Sequence, residues 1–122
     1  MRRIFMVLML AALVVVMFAP AVSAINERCD TIPCNGTSNK DKLSERQGRV
    51  ADRINGRGGN DTLLAGRYGN DRDLLNGGPG NDDLDSDDGD SRDELNGGPG
   101  HDRCDVNDGD RYRSCEVVEQ TL

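Results

Sequence analysis

Asn76-Gly77-Gly78-Pro79-Gly80-Asn81-Asp82-Asp83-Leu84-Asp85 returns twenty residues later as Asn96-Gly97-Gly98-Pro99-Gly100-His101-Asp102-Arg103-Cys104-Asp105. The likeness extends upstream, where Gly69-Asn70-Asp71-Arg72-Asp73-Leu74-Leu75 answers Gly89-Asp90-Ser91-Arg92-Asp93-Glu94-Leu95, so the unit is about 20 residues made of two unlike halves. Gly48 to Asn55 and Gly56 to Leu64 fill the same frame, Gly36 to Ser44 adds an earlier half, and Gly109 to Cys115 adds a last one. Within each half an Asp stands two positions before an aliphatic residue or Cys: Asp41/Leu43, Asp52/Ile54, Asp61/Leu63, Asp73/Leu75, Asp82/Leu84, Asp93/Leu95 and Asp102/Cys104. The final pair, Arg113/Cys115, breaks the Asp rule. Steps between the apolar positions alternate as 11, 9, 12, 9, 11, 9 and 11 residues, which excludes an amphipathic helix.

A strand of about three residues, one side chain inward and its neighbours outward, followed by a Gly-rich turn, is a natural rung of a solenoid. Two rungs make one turn. Four turns stacked at about 4.8 Å give a rod roughly 20 Å long. The expected fold is therefore all-β, a β-solenoid of about four turns of two short strands over residues 36–115. Its inward column would be Leu43, Ile54, Leu63, Leu75, Leu84, Leu95, Cys104 and Cys115. So few inward side chains do not offset the ordering of a chain this long, which points to a ligand that supplies folding energy.

Composition agrees once the ends are divided. Met1-Arg2-Arg3 is a short basic start, Ile4 to Ala19 is apolar throughout, and Val22-Ser23-Ala24 places small residues at a cleavage site. Residues 1–24 read as a secretory signal peptide, too short in its apolar run for a bilayer span. Without them 98 residues remain, with 22 acids against 13 bases, and the net charge moves from −7 to −9. Only 15 are Leu, Ile, Val or Phe, so this chain falls among those that fail to bury a core unaided. Such a charge repels phosphate, so nucleic acid is not an expected partner. Nor is stable membrane insertion after cleavage. Secretion to a calcium-rich, disulfide-permissive exterior is expected.

In the stacked turns each Asp lies over the next, with carboxylates about 5 Å apart along each edge. Charges at that distance repel by about 3 kcal/mol at an effective dielectric near 20. A cation between them reverses the sign. Gly-rich turns can present backbone carbonyls at positive φ, and carboxylates with carbonyls make the shell of six to eight oxygens that calcium prefers. Magnesium demands a smaller octahedral shell, and zinc and copper want His or Cys, of which the sole His, His101, is expected at a solvent-exposed turn.

Gly77 to Asp85 resembles the nonapeptide Gly-Gly-x-Gly-x-Asp-x-Leu-x of the repeats-in-toxin, or haemolysin-type, calcium-binding family. Gly97 to Asp105 is similar except for Cys104 in the aliphatic slot, and Gly56 to Leu64 except for Arg57 at the second Gly. The resemblance implies a right-handed parallel β-roll with calcium held between successive loops on one edge. Position by position it carries the metal-binding role to Asp41, Asp61, Asp82 and Asp102 on one edge. The loop glycines that go with them are Gly56, Gly59, Gly77, Gly78, Gly80, Gly97, Gly98 and Gly100. Asn39 stands where the first loop should have its later Gly. The opposite edge has longer turns that often lack paired Gly, so Asp52, Asp73 and Asp93 are weaker candidates there, set against a plain solvated acidic edge. Arg113, in the place of a last Asp, is expected to neutralise Asp93. An EF-hand on Asp83, Asp85, Asp87 and Glu94 fails because Asp88 occupies the position that needs Gly.

If the rod holds, Cys29 and Cys34 lie at one end and Cys104 and Cys115 at the other, which selects those two disulfides and requires the roll to pinch at its last turn. A four-Cys zinc site is the rival. Residues 25–35 would form an N-terminal cap and 116–122 a tail. The whole reads as a secreted, non-catalytic calcium-binding module, adhesive or matrix-associated, with no macromolecular partner named by the sequence. The alternatives are an accessory or fragment of a secreted enzyme or toxin, or an ice-binding roll. No nucleophile, base and orienting group occur as a set. Lys42, Thr62, Asp83 and Arg103, expected to face outward, lack the hydroxyl column that ice matching requires.

Overall fold

Residues 23–29, 33–45, 51–66 and 71–122 are described by a computed structural model. Residues 1–22, nearly all of the expected signal peptide, lie outside them. Eleven short strands follow one another among the described residues: β1 (Asn26–Cys29), β2 (Cys34–Asn35), β3 (Lys42–Glu45), β4 (Arg53–Asn55), β5 (Thr62–Leu64) and β6 (Leu74–Asn76). After them come β7 (Asp83–Asp85), β8 (Glu94–Asn96), β9 (Arg103–Asn107), β10 (Arg111–Arg113) and β11 (Val117–Thr121). Odd-numbered strands form one sheet and even-numbered strands the other, so each turn of chain lays one strand on each sheet. Every ladder is parallel, and each strand pairs with the strand two places on in sequence. This is the expected parallel β-roll.

Period-two alternation fixes the register. Leu43, Leu63, Leu84 and Cys104 stack in one sheet, and Cys34, Ile54, Leu75 and Leu95 in the other. From Leu43 to Cys104 each of these inward side chains along the chain is fully buried. A one-residue slip would turn them to solvent and bring charged neighbours such as Arg53 or Asp83 inward, which is why so few apolar residues specify the pairing. The first sheet carries a second buried column two positions on, with Cys29, Glu45, Ser86 and Val106 buried and Ala65 packed against them. An asparagine ladder backs the other sheet, where Asn55 Nδ2 donates to Asn35 Oδ1 at 3.0 Å and Asn96 Nδ2 to Asn76 Oδ1 at 2.8 Å.

The stack reaches beyond the repeat frame at both ends. Strands β1 and β2 come from the segment read as a cap, and β11 comes from the segment read as a tail. Cys29 and Cys34 are bonded with Cα atoms 5.2 Å apart, and Cys104 and Cys115 with Cα atoms 5.9 Å apart. The last rung corrects the sequence frame. Tyr112, not Cys115, stands opposite Leu95, and Arg113 stands opposite Asn96. Cys115 lies instead in the crossing between β10 and β11, where the chain is already returning to the sheet that holds Cys104. No pinch of the roll is needed. Tyr112 and Val118 take column positions at the open end of the stack and remain exposed.

Candidate metal centre

Each repeat Asp sits one residue before its strand, at the edge where the chain crosses between sheets. Its carbonyl still joins the ladder, as when Thr62 N donates to Asp41 O and Asp83 N to Asp61 O, each at 2.9 Å. Its N–H has no carbonyl to meet, and the carboxylate of the next turn takes that place. On the edge of short Gly-rich turns, Asp41 N donates to Asp61 Oδ1, Asp61 N to Asp82 Oδ1 and Asp82 N to Asp102 Oδ1, all at 2.8 Å. Glu116 Oε2 closes that column by accepting from Asp102 N at 2.7 Å. On the edge of longer turns, Asp52 N donates to Asp73 Oδ1 and Asp73 N to Asp93 Oδ1 at 2.7 Å.

One oxygen per carboxylate is thereby used. The second is buried without a hydrogen-bond partner in Asp61, Asp82 and Asp102 on the short-turn edge and in Asp73 and Asp93 on the other. Unpaired buried carboxylate oxygens are strongly unfavourable, and their repetition in register points to a positively charged ligand. Burial pushes the carboxyls of Asp61 and Asp102 up and that of Asp82 up to about 6, against hydrogen bonds from the preceding backbone N–H that pull them down. Asp52 is also raised by burial, then by Asp71.

The glycines shape the space in front of these oxygens. A Cβ on Gly77 would run into Asp82 Oδ2 and stand 2.6 Å from the Gly97 carbonyl oxygen; one on Gly56 would meet Asp61 Oδ2 and stand 2.6 Å from the Gly77 carbonyl oxygen. Carboxylate oxygen and next-turn carbonyl thus face one cradle that any side chain would fill. Gly97 lies similarly between Asp102 Oδ2 and the Ser114 carbonyl. Gly59, Gly80 and Gly100, with Gly78 and Gly98, hold positive φ and stack on carbonyls of the preceding loop. This oxygen-only donor set fits a hard cation with a flexible shell of six to eight ligands.

Not every sequence candidate is equivalent. Asp41 differs because Thr37 donates both its N–H and its hydroxyl to Asp41 Oδ2 while Ile25 N donates to Oδ1, leaving no orphan oxygen. Asp52 is only partly buried. On the long-turn edge the structure adds residues that the repeat frame missed. Asp110, not Arg113, stands over Asp93 and accepts from its N–H at 3.0 Å, so the expected guanidinium neutralisation is replaced by another carboxylate. Asp88 joins Asp73 and Asp93, and Asp90 joins Asp93 and Asp110, each trio with ligand oxygens within 4.8 Å of one another. The repeated Asp88-Gly89-Asp90 and Asp108-Gly109-Asp110 carried this signal in the sequence. His101 is exposed.

A parallel solenoid with two edges of stacked, buried carboxylates, five of them with one oxygen unpartnered, is a cation-stabilised β-roll. The chain belongs to the RTX calcium-binding nonapeptide repeat family, whose model, itself four copies of the repeat, matches over three stretches, residues 50–67, 69–92 and 88–112, together about half of the chain. No curated protein and no solved structure matches it. Calcium is accordingly its ion, and the protein is a calcium-binding β-roll module.

Proposed function

We propose that this is a secreted, non-catalytic module that is largely unfolded without calcium and folds into its disulfide-closed roll on meeting calcium outside the cell, where it serves as an adhesive or matrix element. The observation that carries this reading is the row of buried Oδ2 atoms without partners on Asp61, Asp82, Asp102, Asp73 and Asp93. Without metal those carboxylates oppose folding, and calcium turns the same columns into the strongest contacts between turns. Asp61, Asp82 and Asp102 with Gly56, Gly77 and Gly97 form the principal sites, and the fully partnered Asp41 contributes least. High micromolar to millimolar affinity suits an extracellular site of this kind. The apolar start of the chain and the two disulfides support export. Lys42, Thr62, Asp83 and Arg103 align across one outer face, a charged mixture that speaks against ice matching.

Far-UV circular dichroism of the purified, oxidised protein during calcium titration, with magnesium as control, tests the reading. Strand signal should appear with calcium and not with magnesium. A protein fully structured in excess chelator that takes up no metal on replenishment would refute it.

A further inference from the structure

The last two long turns are built unlike the Gly-rich loops. Gly89 and Gly109 have matching positive φ of 99° and 102°, so both loops turn alike after Asp88 and Asp108. The second loop then reaches its strand three residues sooner, and this brings Asp110 over Asp93. Backbone and side-chain donors hold the carboxylates in place. Asp110 Oδ2 accepts from Asn107 N at 2.9 Å and from Ser86 Oγ at 3.0 Å, Asp88 Oδ1 from Asp90 N at 3.0 Å, and Asp90 Oδ1 from Arg92 N at 3.2 Å. Asp73 and Asp93 are each 1% exposed, and their Oδ2 atoms, with that of Asp90, are buried and unpartnered. Among the described residues no salt bridge reaches any of the five aspartates.

We propose that this edge carries a pair of adjacent divalent-cation sites, one made by Asp73, Asp88 and Asp93 and the other by Asp90, Asp93 and Asp110, with Asp93 shared. The inference rests on the reading of the chain as a calcium roll, but the sites differ in kind, because side-chain carboxylates from within the loops supply the ligands. Oxygens on opposite sides of a calcium ion lie about 5 Å apart, so sets spread over no more than 4.8 Å can each close on one ion. Charge requires two ions. One divalent cation among five carboxylates leaves three negative charges in a buried cluster, whereas two leave a single one.

Calcium calorimetry on the oxidised protein and four variants tests the pair. Asp88→Asn and Asp90→Asn should each remove one bound calcium, and Asp93→Asn two, with the strand signal kept at saturating calcium. If Asp93→Asn does not fold, the two loop variants, which lie outside the strand-end columns, carry the test. Unchanged calcium number and affinity in both loop variants would overturn the pair. Asp82→Asn separates this from the Gly-loop reading. Loss of calcium in Asp82→Asn alone leaves the calcium roll standing and overturns the pair, while loss in the loop variants alone keeps the pair and overturns the Gly-loop sites.

Discussion

Arg57 holds φ at 79° where its counterparts one and two turns on are Gly78 and Gly98, at 101° and 107°. A side chain in the left-handed region is unfavourable by roughly 1–2 kcal/mol. Arg57→Gly should therefore stabilise the calcium-loaded protein by about 1 kcal/mol in denaturant unfolding, after the added unfolded-state entropy of glycine takes back part of the gain. Protonation acts at the same scale. Burial pushes the Asp93 carboxyl up to about 8 and those of Asp73 and Asp82 up to about 6, while an unfolded Asp titrates near about 3.9. Between those values the folded chain binds more protons than the unfolded one. Without metal, the contribution of these groups is fully present below about pH 4 and is lost as pH rises through about 6 and then about 8. Calcium competes with the same protons, so its affinity should increase across that window. Circular dichroism in chelator should show more strand at about pH 5 than at about pH 8, and calorimetry should show tighter calcium binding at the higher pH. An inverse slope would mean that the columns are hydrated.

At the level of strands and turns, the disulfide between Cys104 and Cys115 shows how one element settles its neighbours. It closes a loop of 11-residue separation around β10. In the loop-entropy model that constrains the unfolded chain by about 3 kcal/mol, so the double variant Cys104→Ser, Cys115→Ser should lose roughly that much in calcium-saturated unfolding experiments. The strands from β3 to β9, their register and both carboxylate columns were legible in the sequence because Asp and aliphatic positions recur in fixed phase. The eighth rung was not. The step from Cys104 to Cys115 continues the alternation of 11 and 9, so spacing alone carried Cys115 into the core and Arg113 over Asp93. A three-residue shortening of the turn breaks that frame, since it lets Asp110 continue the carboxylate column and leaves Cys115 free to meet Cys104. Val106 and Glu45 escaped for another reason. They belong to a second inward column that β3 and β9 reach by running longer than their neighbours, and no repeated residue type marks it.

Across the whole molecule, every described strand is hydrogen-bonded to strands one turn away, and each adds at most two side chains to the buried columns. Damage should therefore stay local. Leu75 is fully buried between Ile54 and Leu95 near the middle of its sheet, and Leu75→Ala should lose about 3 kcal/mol. Amide hydrogen exchange should then show the turns on either side opening separately, whereas uniform loss of protection would mean that the stack melts as one unit. The register carries a mechanical consequence. Partners such as Leu43 and Leu63, or Leu63 and Leu84, are separated by one circuit of chain. Pulled from its ends, such a molecule yields by peeling, each rupture paying out nearly the same contour, roughly 70 Å for about 20 residues, so it would behave as a ratcheted tether with slack stored in equal lengths.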